Sequence, residues 1–128
     1  MSLGADEHID YREQNFEEVV SDIDFVLDGM GGEVLVNSLK VVEDGGVIVS
    51  FPSMELSEEI KAVAELRKID VSFVLVQSNG ADMNTLKGLA ESGVLKPHVS
   101  KTFPFAEIAE AHEQIESGRT VGKVIITV

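Results

Sequence analysis

The side chains that could carry chemistry are few and scattered. Three histidines, His8, His98 and His112, are of the residue type most often used as a general acid or base, but no two sit at a spacing that would share a metal or a proton. With no cysteine in the chain, thiolate ligands, thiol nucleophiles and disulfides are excluded. His112 falls at the apolar positions of a helical pattern, among Ile108, Ala111 and Ile115, and is expected inside a core. Arg12 could partner a phosphate through its planar guanidinium. Asp28 is the most suggestive acid. It ends the apolar run of "DFVLDGMGG" (24–32) and is followed at once by glycines, which let a ligand approach the backbone closely. A carboxylate at a strand end can also hold its own turn, and that structural role is the expectation for Asp28. No residue stands out as a catalytic acid, base or nucleophile.

The elements that must position these residues alternate. "EHIDY" (7–11) reads as a short strand, and Asn15 with Glu18 as a capping box for a brief helix over 16–21. "IDFVLDG" (23–29) and "GVIVSF" (46–51) are nearly continuous apolar runs, the pattern of parallel strands covered on both faces. A helix is expected over 33–42, stopped by Asp44-Gly45-Gly46. Another is expected over 58–69, capped by Ser57, with Ile60, Val63, Leu66 and Ile69 as its stripe. "DVSFVLVQS" (70–78) follows as a strand, and then a helix from an Asp82 cap to Ser92, closed by Gly93. Two prolines keep "KPHVSKTFPF" extended. A helix over 106–117 and a strand in "GKVIITV" complete the chain. Strand and helix in turn make an α/β fold with a doubly wound parallel sheet.

Composition narrows the function classes. One domain of 128 residues with 44% hydrophobic residues has enough apolar surface for a core, so disorder is not the reading. A formal net charge of −13 is repelled by phosphate backbones and anionic lipid, which sets nucleic-acid and membrane-surface roles aside. No apolar run approaches the roughly 20 residues that span a bilayer, and a cytoplasmic protein fits best.

Taken in order, "LGADEHIDYR", "DFVLDGMGG", "LKVVEDGGVIVSF" and "SGVLKPHVSKTFPFAEIAEAHEQIESGRTVGKVIITV" resemble the C-terminal part of the medium-chain dehydrogenase/reductase superfamily, in its quinone oxidoreductase-like branch. The resemblance implies a partial Rossmann-type parallel sheet comprising strands 3 to 6 of the family order 3-2-1-4-5-6. Residues 4–92 would form the later half of the nucleotide-binding domain, and 93–128 the segment returning to the catalytic domain. Residues 1–3 read as a cloning scar. Strands 1 and 2, with the glycine-rich turn that holds the cofactor pyrophosphate, would lie outside the chain, leaving 7–11 without its neighbours.

The implied cofactor is NADPH, and the implied reaction is hydride transfer to a quinone, enone or related carbonyl of a small-molecule substrate, with the chain alone inactive. The resemblance puts Tyr11, and Arg12 beside it, near the adenosine 2′-phosphate. Gly29 and Met30 would lie at the switch point, and Ser50, Phe51 and Pro52 near the nicotinamide carboxamide. Phe73, Val74 and Leu75 would belong to the nicotinamide pocket, and Lys123 of the terminal "GK" could reach a cofactor or stay solvated. The strand at 70–78 would be a sheet edge through which a homodimer forms. Two other classes compete on the residues alone. A receiver-like signalling module would use Asp28 as phosphoacceptor, but it needs an earlier acidic pair. A methyltransferase-like sheet needs a glycine-rich first turn. Neither is present.

Overall fold

The computed structural model describes residues 4–53 and 55–128. The chain divides into two units between Gln77 and Ser78. In the first, β1 (Ile23–Asp28), α1 (Gly32–Val41), β2 (Val42–Ser50), α2 (Glu58–Arg67) and β3 (Asp70–Phe73) alternate along the chain. The strands form one parallel sheet in the order β1-β2-β3, with Val26 beside Ile48 and Ile48 beside Val71. These are strands 4, 5 and 6 of the implied family order. Two crossovers of the same hand, stepping the same way across a sheet, put both helices on one face. Leu35 and Leu39 of α1 and Ile60 and Ala64 of α2 accordingly close a single core over Ile48, with Val26 and Val71 packed at its margin.

The apolar runs therefore mislead in one respect. They predict strands covered on both faces, but Phe25 and Leu27, which alternate with Val26, are 52% and 59% exposed. Only the helix-bearing face of β1 is covered. The expected stripe of α2 is met at Ile60 and Ile69, which are in the core, and at Val63, which packs against it, but Leu66 lies outside the core, and Ala64 and, one turn on, Arg67 take inward positions instead. The Ser57 cap is as expected, its hydroxyl oxygen accepting from the Ile60 N–H at 3.3 Å.

Three boundaries move for identifiable reasons. Asp44-Gly45-Gly46 does not stop a helix but sits inside β2. Pairing with β1 jumps there from Ile23–Val42 to Phe25–Val47, so the glycine pair forms an irregular bulge. The strand expected over 70–78 ends at Phe73. Its last ladder bond runs from Val74 N–H to Ser50 O, and beyond Ser50 its partner turns away through Pro52, which has no N–H to give. Residues 7–11 form no strand. Asp10 instead closes a turn, accepting from the Glu13 and Gln14 N–H groups at its carbonyl and from the Arg12 N–H at its side chain. A strand needs a partner for its backbone groups, and that requirement is invisible in a five-residue pattern. The expected helix over 16–21 shrinks to a 3-10 turn, Phe16–Glu18. Asn15 there bonds the Glu18 side chain rather than a backbone N–H.

In the second unit, α3 (Gly80–Glu91) is capped by Asn79, which accepts from the Ala81 N–H at 2.8 Å, and not by Asp82. β4 (Val99–Pro104), a 3-10 turn, α4 (Ile108–Glu116) and β5 (Lys123–Thr127) then form a β-α-β unit with a parallel pair. Ala111 is the buried residue of α4. His112 beside it is exposed, against expectation, and lines a shallow apolar slot with Ile108, Ile115, Val124 and Ile126. Gly122 is explained by close approach. A Cβ there would lie 2.4 Å from His98 O, the atom that accepts the Lys123 N–H.

Candidate functional site

Because β1, β2 and β3 are parallel, their carboxyl ends emerge at one edge of the sheet. Asp28 is paired with Ser50, and Ser50 with Phe73. The ladder extends one step past them, with Phe51 N–H donating to Asp28 O at 3.0 Å and Val74 N–H to Ser50 O at 3.2 Å. The structure thereby brings Gly29, Met30, Ser50, Phe51, Pro52, Phe73, Val74 and Leu75 to neighbouring positions along one rim. Met30 and Leu75 are largely exposed there, and Phe51 and Phe73 are about half exposed. Open α/β sheets place ligands at this edge.

Under the rim lies a lock centred on Asp28, which is 3% exposed. Its Oδ1 accepts from the Met30 and Gly31 N–H groups, each at 2.9 Å, and its Oδ2 from the Ser50 hydroxyl at 2.7 Å. Burial pushes the carboxyl up, but the bonds from Gly31, Met30 and Ser50 together outweigh it and hold the group below its ordinary range. Gly31, at φ +68°, presses this turn against the next one. A Cβ at Gly31 would lie 2.9 Å from Ser53 Oγ and 3.0 Å from Pro52 Cγ. Asp28 is thus the turn-holder that the sequence led us to expect. With both oxygens engaged inside the protein, it does not fit the alternative role of an exposed phosphoacceptor.

Tyr11 and Arg12 are not part of this rim. Tyr11 is 82% exposed and lines a separate groove with Phe16 and with Glu33, Val34 and Asn37 from the start of α1. The Arg12 guanidinium lies 5.7 Å from the Tyr11 ring centroid, a cation–π stack. Its pKa is raised, first by the Tyr11 hydroxyl. Glu17 and Glu33 line the same groove, and their charge opposes a phosphate there. His8, His98 and His112 are not brought together. Among the described residues, no group of three or more histidine, aspartate or glutamate side chains could hold a metal ion.

Sequence reasoning missed Arg67. Its Nε pairs with Asp44 Oδ1 at 2.7 Å, while its Nη groups donate to the carbonyls of Leu39 and Val42 at the end of α1. The available signal was a basic residue in the last turn of α2, at the inward spacing of Ile60 and Ala64. It also missed that Gly31 packs on Ser53, a contact made across the sheet.

A model of a zinc-binding dehydrogenase domain matches residues 3–126. The chain belongs to the zinc-binding dehydrogenase family. It is 34% identical over 128 residues to the 2-methylene-furan-3-one reductase of Solanum lycopersicum, covering 98% of this chain and 29% of that protein. It is 32% identical to the chloroplastic NADPH-dependent alkenal/one oxidoreductase of Arabidopsis thaliana, again over 98% of this chain and 29% of the relative. Among solved structures, the quinone oxidoreductase from Coxiella burnetii superposes with a TM-score of 0.85 at 30% identity, covering 99% of this chain and 40% of that one. The resemblance read from the motifs therefore holds. This is a quinone oxidoreductase-like member of the medium-chain dehydrogenase/reductase superfamily, and its parallel sheet is the later part of the Rossmann-like domain. It spans less than half the length of these relatives. The family's name implies zinc, but the described residues offer no donor set for it.

Proposed function

We propose that this chain contributes half of a dinucleotide crevice to an NADPH-dependent oxidoreductase that delivers hydride to a quinone, enone or related carbonyl. The observation that carries the proposal is the common rim of the three parallel strand ends, fixed from beneath by the Asp28–Ser50 lock. Reduced nicotinamide, when bound, supplies the hydride. The residues of the chain orient it. Backbone groups at Gly29, Met30, Ser50, Phe51 and Pro52 hold the nicotinamide nucleoside, and Phe73, Val74 and Leu75 give it an apolar wall that excludes water. No side chain of the rim is assigned as acid or base, so catalysis here is positioning.

NADPH is favoured over NADH by the name of the Arabidopsis relative and by the Tyr11–Arg12 stack, while Glu17 and Glu33 work against a 2′-phosphate at that groove. The chain is assigned a homodimer through the outer edge of β3, where apolar residues flank unpaired backbone groups. By itself it is expected to turn over no substrate, because it spans only 29–40% of these reductases and oxidoreductases. The test measures NADPH and NADH binding to the 128-residue chain by fluorescence, and NADPH oxidation with a panel of quinones and alkenals. Saturable NADPH binding without oxidation is expected. Absence of any nicotinamide binding overturns the crevice, and robust oxidation overturns the inactivity.

A further inference from the structure

Asparagine is a chemically labile side chain, and its fate depends on the residue that follows it. The chain has four asparagines, Asn15, Asn37, Asn79 and Asn84, followed by Phe16, Ser38, Gly80 and Thr85. At Asn79 alone the next residue is glycine, whose nitrogen no side chain shields and whose backbone turns freely. Asn37 lies inside α1 and Asn84 inside α3, where the helical ladder holds the backbone.

Asn79 and Gly80 are both exposed. Asn79 is the N-cap of α3 and Gly80 its first residue, so the Gly80 N–H has no partner within the helix. A Cβ at Gly80 would meet nothing within 4 Å, so packing does not require the glycine. Two bonds restrain the pair. The Asn79 side-chain oxygen accepts from the Ala81 N–H at 2.8 Å, and its backbone carbonyl from the Met83 N–H at 3.2 Å. With ψ at 117°, the Gly80 nitrogen does not eclipse the Asn79 Cβ, as closing a five-membered ring through both requires. Asp28-Gly29 and Asp44-Gly45 offer the same ring, but an ionised carboxylate is a poor electrophile. Asp28 has both oxygens bonded, and Asp44 is paired with Arg67.

We infer that Asn79 is a spontaneous modification site, gated by the N-cap of α3. When the cap opens and ψ turns, the Gly80 nitrogen gives its proton to solvent base and attacks Asn79 Cγ. The N–Cγ bond forms, the bond from Cγ to the side-chain nitrogen breaks, and ammonia leaves. Water then opens the succinimide at either carbonyl. Opening at Cγ gives aspartate on an unchanged backbone, and opening at the main-chain carbonyl gives isoaspartate, whose backbone runs through Cβ. The two products part in their effect on α3. Aspartate restores the cap and adds a negative charge at the helix N-terminus, which is favourable. Isoaspartate lengthens the backbone by a methylene and displaces the acceptor from the Ala81 N–H.

The test incubates the full 128-residue chain in mildly alkaline buffer and follows it by peptide mass mapping. Isoaspartate is labelled with a protein isoaspartyl methyltransferase and S-adenosylmethionine. Asn79 is expected to convert first, through a transient species lighter by one ammonia, into aspartate and isoaspartate together. Asn15, Asn37 and Asn84 should stay intact over the same time. Gly80→Ala should slow the conversion by about tenfold or more, because a Cβ shields the nitrogen and stiffens the turn. Lys87→Gly, at an exposed position inside α3, loosens the helix without touching the pair and should speed conversion by about threefold or more. Should that variant not fold, the native chain in urea frees the same rotation and supplies the comparison. Amide exchange at Ala81 should quicken in the isoaspartate product and slow in the aspartate product. No conversion at Asn79, or another asparagine converting first, overturns the site. Aspartate without isoaspartate overturns the succinimide route, and a rate unmoved by Lys87→Gly or urea overturns the gating.

Discussion

At the scale of single residues, the glycines of the turn after β1 are not equivalent. Gly31 has φ +68° and would drive a Cβ to 2.9 Å from Ser53 Oγ, whereas a Cβ at Gly29 meets nothing within 4 Å. Gly31→Ala combines left-handed strain with overpacking and should cost about 2 kcal/mol or more. Gly29→Ala should stay within about 0.5 kcal/mol. Paired urea melts check the contrast, and equal costs would contradict the turn described here. Asp28 adds a pH dependence whose sign is fixed. Its folded carboxyl lies below the reference value of 3.8, so near that pH the unfolded chain binds more protons and stability rises with pH. The stabilisation is fully present above about pH 4–5 and is lost as pH falls through the lower folded value. Acid unfolding of Asp28→Asn, less stable at neutral pH, should show a shallower fall below pH 4. A carboxylate that ends an apolar strand before glycines was legible as a turn-holder. Its partner Ser50 was not, because twenty-two residues separate them and only the register of the sheet brings them together.

At the scale of elements, Arg67 joins three pieces that local pattern treats as independent. It leaves the last turn of α2, caps the carbonyl end of α1 at Leu39 and Val42, and pairs with Asp44 in the bulge of β2. A cation at a helix carboxyl end is stabilised by the helix dipole, and charge-assisted bonds to buried carbonyls are costly to leave unmade. Arg67→Ala should therefore destabilise by about 2 kcal/mol. Arg67→Lys should recover less than half of that, since one ammonium cannot reach three acceptors in a fork. Asp44 is 75% exposed, so Asp44→Ala should cost under about 1 kcal/mol. Denaturant midpoints of the three variants give the ranking, and Asp44→Ala matching Arg67→Ala would show that the ion pair, not the carbonyl cap, is what matters. The same region shows why some elements were readable and others not. The runs at 23–28 and 46–50 announce strands through side chains alone, because apolar continuity is a property of the segment itself. Whether Asp44-Gly45-Gly46 ends a helix or bulges a strand depends on what Arg67 and β1 place beside it. Residues 7–11 have strand-like side chains, but Asp10 captures the following N–H groups locally before any partner can.

At the scale of the whole molecule, two apolar surfaces of the first unit are open: the face carrying Phe25 and Leu27, and the edge of β3 together with the non-strand segment that follows it, whose Val74, Leu75 and Val76 are 46%, 67% and 80% exposed. They differ in what they can satisfy. The face offers side chains only, since the backbone groups of a sheet lie in its plane, and any apolar surface can cover it; β1 is itself an edge strand, paired with β2 on one side. The β3 edge offers apolar side chains together with N–H and C=O groups that have no ladder partner, so a second β3 is a better complement than water or an arbitrary surface. Self-association should therefore run through the edge, with the face remaining available to an environment-sensitive dye. Sedimentation velocity on the native chain is expected to show a dimer. The double variant Val74→Lys/Val76→Lys should sediment as a monomer while still binding dye. Phe25→Glu/Leu27→Glu should remain dimeric and lose most of the dye signal. The reverse pattern, a face variant that dissociates and an edge variant that does not, would move the interface to the open face of the sheet and take the edge assignment with it.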